Sequence, residues 1–331
     1  MSGTTETTEK TTDPLQNVLI FSGSAHKSLA SEIAEYLNLK VSPSTRDKFS
    51  NDNLDVRLGV SVRGKDVFII QPLSPPTSDN LLELILMLDI ARTSGAKSIH
   101  AVIPYFSYAR SDKKDAPRIS VAGRLVADLL VTAGAQHIIV MTLHSPQVHG
   151  FFNIHTDHLT AHSAFVNHFK SQDLRDCVVV SPDMGNAKRA AKLARSLGVP
   201  LAIAEKLRLS DEKVTITAIL GDVVGKRVLL VDDEIATAGT IMEVMRVLKE
   251  KGAGAITVIC THGLFTGPAI ERLNNMPELE EIVTTNTVPL TPDRHPERIT
   301  RLSIAHIFGE VIRRSVMGGS VGELFEFWPT S

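Results

Sequence analysis

The stretch Arg227-Val-Leu-Leu-Val-Asp-Asp-Glu-Ile-Ala-Thr-Ala-Gly-Thr-Ile241 decides the fold. Val228 to Val231 form an unbroken apolar run, which reads as a buried strand with Asp232 and Asp233 at its carboxyl end. Thr237-Ala-Gly-Thr240 then opens an amphipathic helix to about Lys251, with Gly252 as its stop signal. In open α/β sheets ligands bind beyond the carboxyl ends of strands, and a helix amino terminus attracts anions. Backbone N–H groups and two threonine hydroxyls at that point suit a phosphate. The neighbouring aspartates suit hydroxyls or a metal. A phosphosugar with a diol fits this layout better than a nucleoside triphosphate alone.

The same plan recurs at Cys177-Val-Val-Val-Ser-Pro-Asp183, a strand ending on a carboxylate, followed by a helix from Ala187 to Leu197. Further strands are expected at Asn17–Ser22, Leu54–Val60, Asp66–Gln71, His100–Pro104, His137–Met141, Leu201–Arg208, Ala255–His262, Glu281–Asn286 and Ile299–Ile304. Helical spacing covers Ser28–Leu39, Asp79–Arg92 and Val121–Ala133. The chain of 331 residues is long enough for two domains, each with its own core. The expected fold is α/β, two similar α/β/α units with mainly parallel sheets. Residues 15–160 and 161–331 form these units, after a polar, disordered tail at 1–14.

Charge excludes some partners. Lysine plus arginine (35) nearly balances aspartate plus glutamate (37), so no global field favours nucleic acid or anionic lipid. No apolar run is long enough to span a bilayer. Cys177 and Cys260 sit in apolar runs and read as small buried hydrophobes in a reducing compartment. A soluble, cytoplasmic protein is expected.

Three local features bear on chemistry. Tyr105 to Arg118 carries four cations and two anions straight after a strand; such a run is either a solvated face or a set of donors for a polyphosphate. Lys48-Phe-Ser-Asn-Asp-Asn53 is either a turn with one core aromatic or a base-stacking tip. His144, His149, His155, His158 and His162 crowd one span. They lack both an H-E-x-x-H glutamate and nearby thiolates, which argues against zinc. Gly221-Asp-Val-Val-Gly-Lys-Arg227 is not a Walker loop. It has three residues between its glycines instead of four, ends on Arg227 where Ser or Thr should stand, and precedes its strand.

Val-Asp-Asp-x-x-x-Thr-x-Gly-Thr after a strand resembles the phosphoribosyl-pyrophosphate loop of type I phosphoribosyltransferase folds. Together with Tyr-Ala-Arg-x-Asp-Lys-Lys-Asp and a terminal Ser-Val-x-x-Leu-Phe, it resembles the ribose-phosphate pyrophosphokinase family from about Val18 to Phe325. The resemblance implies an enzyme that moves the β,γ-pyrophosphoryl group of Mg·ATP to the 1-hydroxyl of ribose 5-phosphate. It implies ATP contacts at Phe49, Asn51, Asn53, Arg110, Ser111, Asp115 and His144, with Arg118 nearby. Ribose 5-phosphate falls to Asp232, Asp233, Thr237, Ala238, Gly239 and Thr240. Lys206, Arg208 and His144 are implied in catalysis, and His144, Asp183 and Asp157 in holding Mg2+. It also implies a homo-oligomer, a hexamer built from dimers, with ADP or phosphate as effectors.

Several positions depart from the family pattern. Ala236 replaces a third acid beside the sugar, Thr142 and Asn153 replace aspartates, and Asn53 replaces a glutamate. Ser111 replaces a glutamine, Ser145-Pro146 an Ala-Ser, and Gly322 a serine. These departures leave an alternative of a different class, a catalytically weak regulatory subunit paired with an active pyrophosphokinase. The intact Thr-Ala-Gly-Thr loop and the Lys206/Arg208 pair favour the enzyme.

Overall fold

The computed structural model describes residues 14–208 and 214–325, with side chains at 206–208, 214, 215 and 323 left out. Within the first half lie β1 (Val18–Ser22), β2 (Val41–Ser42), β3 (Ser44–Lys48), β4 (Leu54–Leu58), β5 (Asp66–Ile70), β6 (Ser98–Ile103), β7 (His137–Met141) and β8 (His155–Leu159). Six of them form a parallel sheet in the order β2-β1-β5-β6-β7-β8, while β3 and β4 pair with each other as an antiparallel hairpin. Parallel pairing follows from composition: β5 and β7 are apolar runs, buried along almost their whole length, as strands covered on both faces must be.

The second sheet holds β9 (Cys177–Ser181), β10 (Leu201–Arg208), β11 (Val214–Leu220), β12 (Arg227–Ile235), β13 (Ile256–Gly263), β14 (Leu279–Thr285) and β15 (Ile299–Leu302). Its order is β11-β10-β9-β12-β13-β14-β15, with only the β10–β11 pair antiparallel. The strand that decides the fold therefore sits centrally. It also runs further than its apolar run suggests, because Glu234 and Ile235 still pair with His262 and Gly263 of β13. The acids lie on the strand itself, not beyond it.

Helices α1 (Lys27–Tyr36), α2 (Thr77–Thr93), α3 (Ala122–Ala133), α4 (His162–Phe169), α5 (Ala187–Leu197), α6 (Gly239–Glu250), α7 (Ala269–Asn274) and α8 (Ala305–Met317) cover the sheets. Leu84 and Leu88 of α2 and Val126 and Leu130 of α3 pack with Val67 and Ile69 on one face of the first sheet. Met245 and Leu248 of α6 and Leu273 of α7 cover Val228 and Leu230 on one face of the second. The other faces share a single core: Ile33 of α1, Phe169 of α4, Leu193 of α5 and Phe308 of α8 join Phe68 and Ile139 to Leu229 and Ile259. The two sheets are thus held by common helices.

Local signals explain the ends of elements. Helix α1 stops at Tyr36, before Leu39, because Asn38 turns left-handed (φ 56°) and the Leu39 N–H closes on the Ala34 carbonyl. Gly225 (φ 69°) makes the Gly221–Arg227 segment a turn, as expected for a stretch that is no Walker loop. Pro14 opens a 3-10 turn, Pro14–Asn17, and residues 1–13 of the expected tail lie outside the described residues. Ring stacking of His100 on Phe68, at 4.0 Å between centroids, goes with burial that pushes the imidazole down to about 3, with His137 beside it adding to the effect.

At Gly263, where β13 ends, a Cβ would meet the Phe265 ring at 2.5 Å and the Thr284 hydroxyl at 3.0 Å. Phe265 is itself fully buried and left-handed (φ 47°), so it has nowhere to go. Gly263→Ala is expected to cost about 1–3 kcal/mol by overpacking, read as a lowered urea midpoint. An unchanged midpoint would show that this corner yields.

Candidate active site

The carboxyl ends of β7 and β12, from different sheets, converge. His144, three residues past β7, presents Nδ1 2.7 Å from Asp233 Oδ2. Asp233 is buried on β12, and Arg189 of α5 brings Nη1 to 4.0 Å of the same oxygen. Arg189 is anchored by donating from Nη2 to the Leu143 carbonyl at 2.5 Å. One residue on, Glu234 accepts from Arg110 Nη1 at 2.9 Å and from Tyr105 Oη at 3.2 Å. Asn186 donates from Nδ2 to the Val231 carbonyl at 2.6 Å, tying the start of α5 to β12.

The acids respond to this crowding in different directions. Burial pushes the Asp232 carboxyl well up, and the adjacent Asp233 charge adds to the shift. Burial pushes Asp233 up too, but the His144 hydrogen bond and charge outweigh it, and its carboxyl lies below the usual range. Glu234 is raised by burial and by Asp233, against the pull of Arg110, His144 and Tyr105. His144 is raised, chiefly by its hydrogen bond to Asp233. Asp183 bonds the Asn186 N–H at 3.0 Å and adds to the negative field at Asp232.

Two carboxylates and an imidazole, from Asp233, Glu234 and His144, have ligand atoms within 4.8 Å of one another. With Asp232 and Asp183 beside them, the acids outnumber the cations Arg110 and Arg189. An oxygen-rich cluster of this sort fits a hard divalent cation such as Mg2+.

The phosphate side of the site lies at the start of α6. Ala238 is left-handed (φ 61°), an uncommon state for a residue with a Cβ, and no side chain caps the helix. The first N–H groups of a helix have no partner within it, so this end can receive an anion. Arg272 Nη1 holds the Thr237 carbonyl at 2.8 Å, and the Thr266 N–H holds that of Ala236 at 2.9 Å. The loop is therefore fixed from behind.

Other expected residues fall as follows. Arg110 ends a 3-10 turn, Ser107–Arg110, and Ser111 carries the chain to Gly123 through its carbonyl. Asp115 and Arg118 are exposed further along that loop. Asp112 reaches back to accept from the Ser145 hydroxyl at 2.6 Å, which ties the loop to the His144 segment. Phe49 is 55% exposed at the hairpin tip, with Asn51 and Asn53. The hairpin's ion pairs run within itself and to Asp79 and Glu83 of α2, not to the acids of β12. The side chains of Lys206 and Arg208 lie outside the described residues, though their backbone belongs to β10.

Asp157 does not join His144. It lies fully buried in mid-β8, in register with Ile139 of β7, and its two oxygens meet His137 and His155, the first residues of their strands. Thr142 is buried, left-handed (φ 43°) and bonded to Thr261, and Asn153 is exposed.

Sequence reasoning missed Tyr105, Arg189, Asn186 and His262. The His262 ring lies 4.8 Å from the ring of Tyr105 and bonds the Thr142 carbonyl at 3.0 Å. For Arg189 the one available signal was a cation in the first turn of a helix that follows a strand-end acid.

Comparisons with known proteins agree with this geometry. Residues 18–134 match the N-terminal domain of ribose phosphate pyrophosphokinase, and 204–326 match the phosphoribosyl synthetase-associated domain. A putative ribose-phosphate pyrophosphokinase of Streptomyces coelicolor is 49% identical over 95% of this chain and 99% of its own. The ribose-phosphate pyrophosphokinase of Deinococcus radiodurans is 47% identical over 93% and 98%. Among solved structures, the phosphoribosylpyrophosphate synthetase of Mycobacterium smegmatis superposes with a TM-score of 0.86 at 39% identity, covering 92% of this chain and all of that one.

Proposed function

The chain belongs to the ribose-phosphate pyrophosphokinase family, and from that premise we propose that it is an active member which makes 5-phosphoribosyl 1-pyrophosphate and AMP. The observation that carries this reading is the junction of two sheets: Arg110 on Glu234 and His144 on Asp233 join the cationic loop to the acids of β12.

In the reaction the 1-hydroxyl oxygen of ribose 5-phosphate attacks the β-phosphorus of ATP. The bond from that phosphorus to the α,β-bridging oxygen breaks, AMP leaves with the electron pair, and the hydroxyl proton is lost. Such a transfer asks the protein for positioning and charge neutralisation more than for a nucleophile of its own. Asp232 and Asp233 align the ribose hydroxyls, and the Thr237–Thr240 loop at the start of α6 takes the 5-phosphate. Arg110 and His144 draw the triphosphate towards Asp233, with Ser111 and Asp115 flanking it. Lys206 and Arg208 neutralise the charge that develops on the transferring group. Asp183, Asp233, Glu234 and His144 would hold Mg2+, which supplies further neutralisation of the phosphate oxygens.

The exposed Phe49 supports a hairpin tip, with Asn51 and Asn53, that stacks adenine in the site of a neighbouring copy. The reading therefore includes a homo-oligomer, a hexamer built from dimers, with ADP and phosphate as candidate effectors. It also includes halves at 15–160 and 161–331 and a cytoplasmic location.

The test is mass-spectrometric detection of AMP and phosphoribosyl pyrophosphate from Mg2+, ATP and ribose 5-phosphate, with and without phosphate. Equal amounts of both products are expected. Neither product, from folded protein that still binds ATP, would promote the regulatory-subunit reading. Arg110→Ala should raise KM for ATP about tenfold, since it removes a guanidinium from a polyphosphate site and leaves buried Glu234 with only the Tyr105 hydroxyl. Arg110→Lys should restore part of this. An unchanged KM would remove Arg110 from the ATP site.

A further inference from the structure

A second cluster of donors lies at the other end of the first sheet. His100, His137 and His155 stand on three adjacent strands in direct register, His100 opposite His137 and His137 opposite His155. Their rings lie 5.2 Å and 4.3 Å apart between centroids. Asp157, two residues after His155 on the same face, is fully buried among apolar neighbours of β7 and β8. His137 Nε2 approaches its Oδ2 at 3.1 Å, and His155 Nε2 its Oδ1 at 3.1 Å. These ligand atoms all lie within 4.8 Å of one another.

The hydrogens behind this cluster can be assigned in order. Asp66 is ion-paired with Lys97 at 3.2 Å and accepts the Ser98 hydroxyl at 2.6 Å. A hydroxyl has one hydrogen, so Ser98 Oγ accepts from His100 Nε2, 2.8 Å away. In the neutral His100 ring Nδ1 is then an acceptor, and it faces His137 Nδ1 at 2.9 Å. His137 must supply that hydrogen. Its Nε2 then faces a buried carboxylate oxygen, where either a proton or a metal ion must satisfy both atoms. A relay of carboxylate, hydroxyl and imidazole that fixes the tautomer of the next imidazole is how proteins orient histidine ligands of metals.

We propose that His137, His155 and Asp157 form a binding site for a borderline divalent transition-metal ion, of which Zn2+ is the type, with Asp66, Ser98 and His100 orienting His137. Two imidazoles and one carboxylate suit such ions, whereas Mg2+ prefers an all-oxygen set. His155 is 66% exposed, which gives the ion a way in from solvent and leaves room for water as a further ligand. The site is separate from the reaction centre: β7 alone, from His137 to Met141, sets them roughly 13 Å apart along the strand. Nothing in the proposed transfer uses it, so the ion clamps strands β6 to β8 from the opposite end.

The test is calorimetric titration of the chelator-treated full chain with Zn2+ in excess Mg2+, which occupies the acids of β12. One equivalent is expected to bind, and Co2+ in its place should give visible absorption bands typical of nitrogen and oxygen ligands. His155→Ala, a surface change that leaves the core intact, should weaken Zn2+ binding by about tenfold or more and abolish the Co2+ bands. Ser98→Ala, which breaks the relay without touching a ligand, should weaken it by about 10–100-fold. His144→Ala should leave both readouts unchanged. Absence of a Zn2+ equivalent, or wild-type affinity in His155→Ala, would overturn the proposal and leave a proton on His137 as the counter-charge of Asp157.

Discussion

Asp233→Ala is expected to lower kcat/KM by roughly 10²–10³-fold, the scale at which a preorganised charge or a misplacement of about 1 Å is felt in catalysis. The reason is that one buried carboxylate organises partners from two segments beyond its own strand. It holds His144 from beyond β7 at 2.7 Å and faces Arg189 of α5 at 4.0 Å. Without it, His144 loses the bond that raises its affinity for a proton, and Arg189 loses the carboxylate 4.0 Å from its Nη1. The loss should appear in kcat and in KM for ribose 5-phosphate. Asp233→Asn separates shape from charge, since the amide oxygen still accepts from His144 while the negative charge is gone. Comparable losses in the two variants would mean that the charge matters. Near wild-type activity in the alanine variant would remove Asp233 from the site.

How much of this was legible depends on whether a feature is local in sequence. The acids, the small-residue loop and the helix of β12–α6 are consecutive, so their order alone implies a strand-end anion site. That strand was nonetheless read too short, because Asp232, Asp233 and Glu234 are polar and only pairing with β13 keeps them extended. Tyr105 and Arg110 meet Glu234 across more than a hundred residues. No spacing rule reports such a contact. Asp157 shows the converse failure. Its place in a motif suggested the His144 site, but β8 turns it towards His137 and His155. The histidines at 100, 137 and 155 share no helical or ligand-pair spacing; they become neighbours only through strand register.

Acidification from pH 7 to pH 5 is expected to destabilise the fold steeply, through three histidines held neutral inside it. Burial pushes His26 and His262 down to about 4 and His158 to about 3. Two of them depend on a bare nitrogen: His158 Nε2 accepts the Leu143 N–H at 2.9 Å, and His26 Nδ1 accepts the Leu29 N–H at the start of α1. An unfolded histidine takes its proton near ~6.5, so between there and pH 4 the unfolded chain binds more protons than the folded one. Stability therefore rises with pH across that window and falls on acidification, by about 1.4 kcal/mol per pH unit for each group. Raised Asp232 and Glu234 bind their protons more tightly in the fold and so offset part of this acid loss, while two other groups of the site set the outer limits. Depressed Asp233 contributes stability that is lost only as pH falls below the usual carboxylate range. Raised His144 contributes stability that is lost as pH climbs above ~6.5 through its folded value. The optimum should then lie near neutrality, and urea midpoints at pH 7, 6 and 5 would show it. His158→Gln, which keeps an acceptor for Leu143 but cannot titrate, should flatten the acid limb by about one proton. A midpoint that does not move between pH 7 and 5 would mean that these imidazoles protonate inside the fold, and the hydrogen bonds at Leu143 and Leu29 would then need another donor–acceptor assignment.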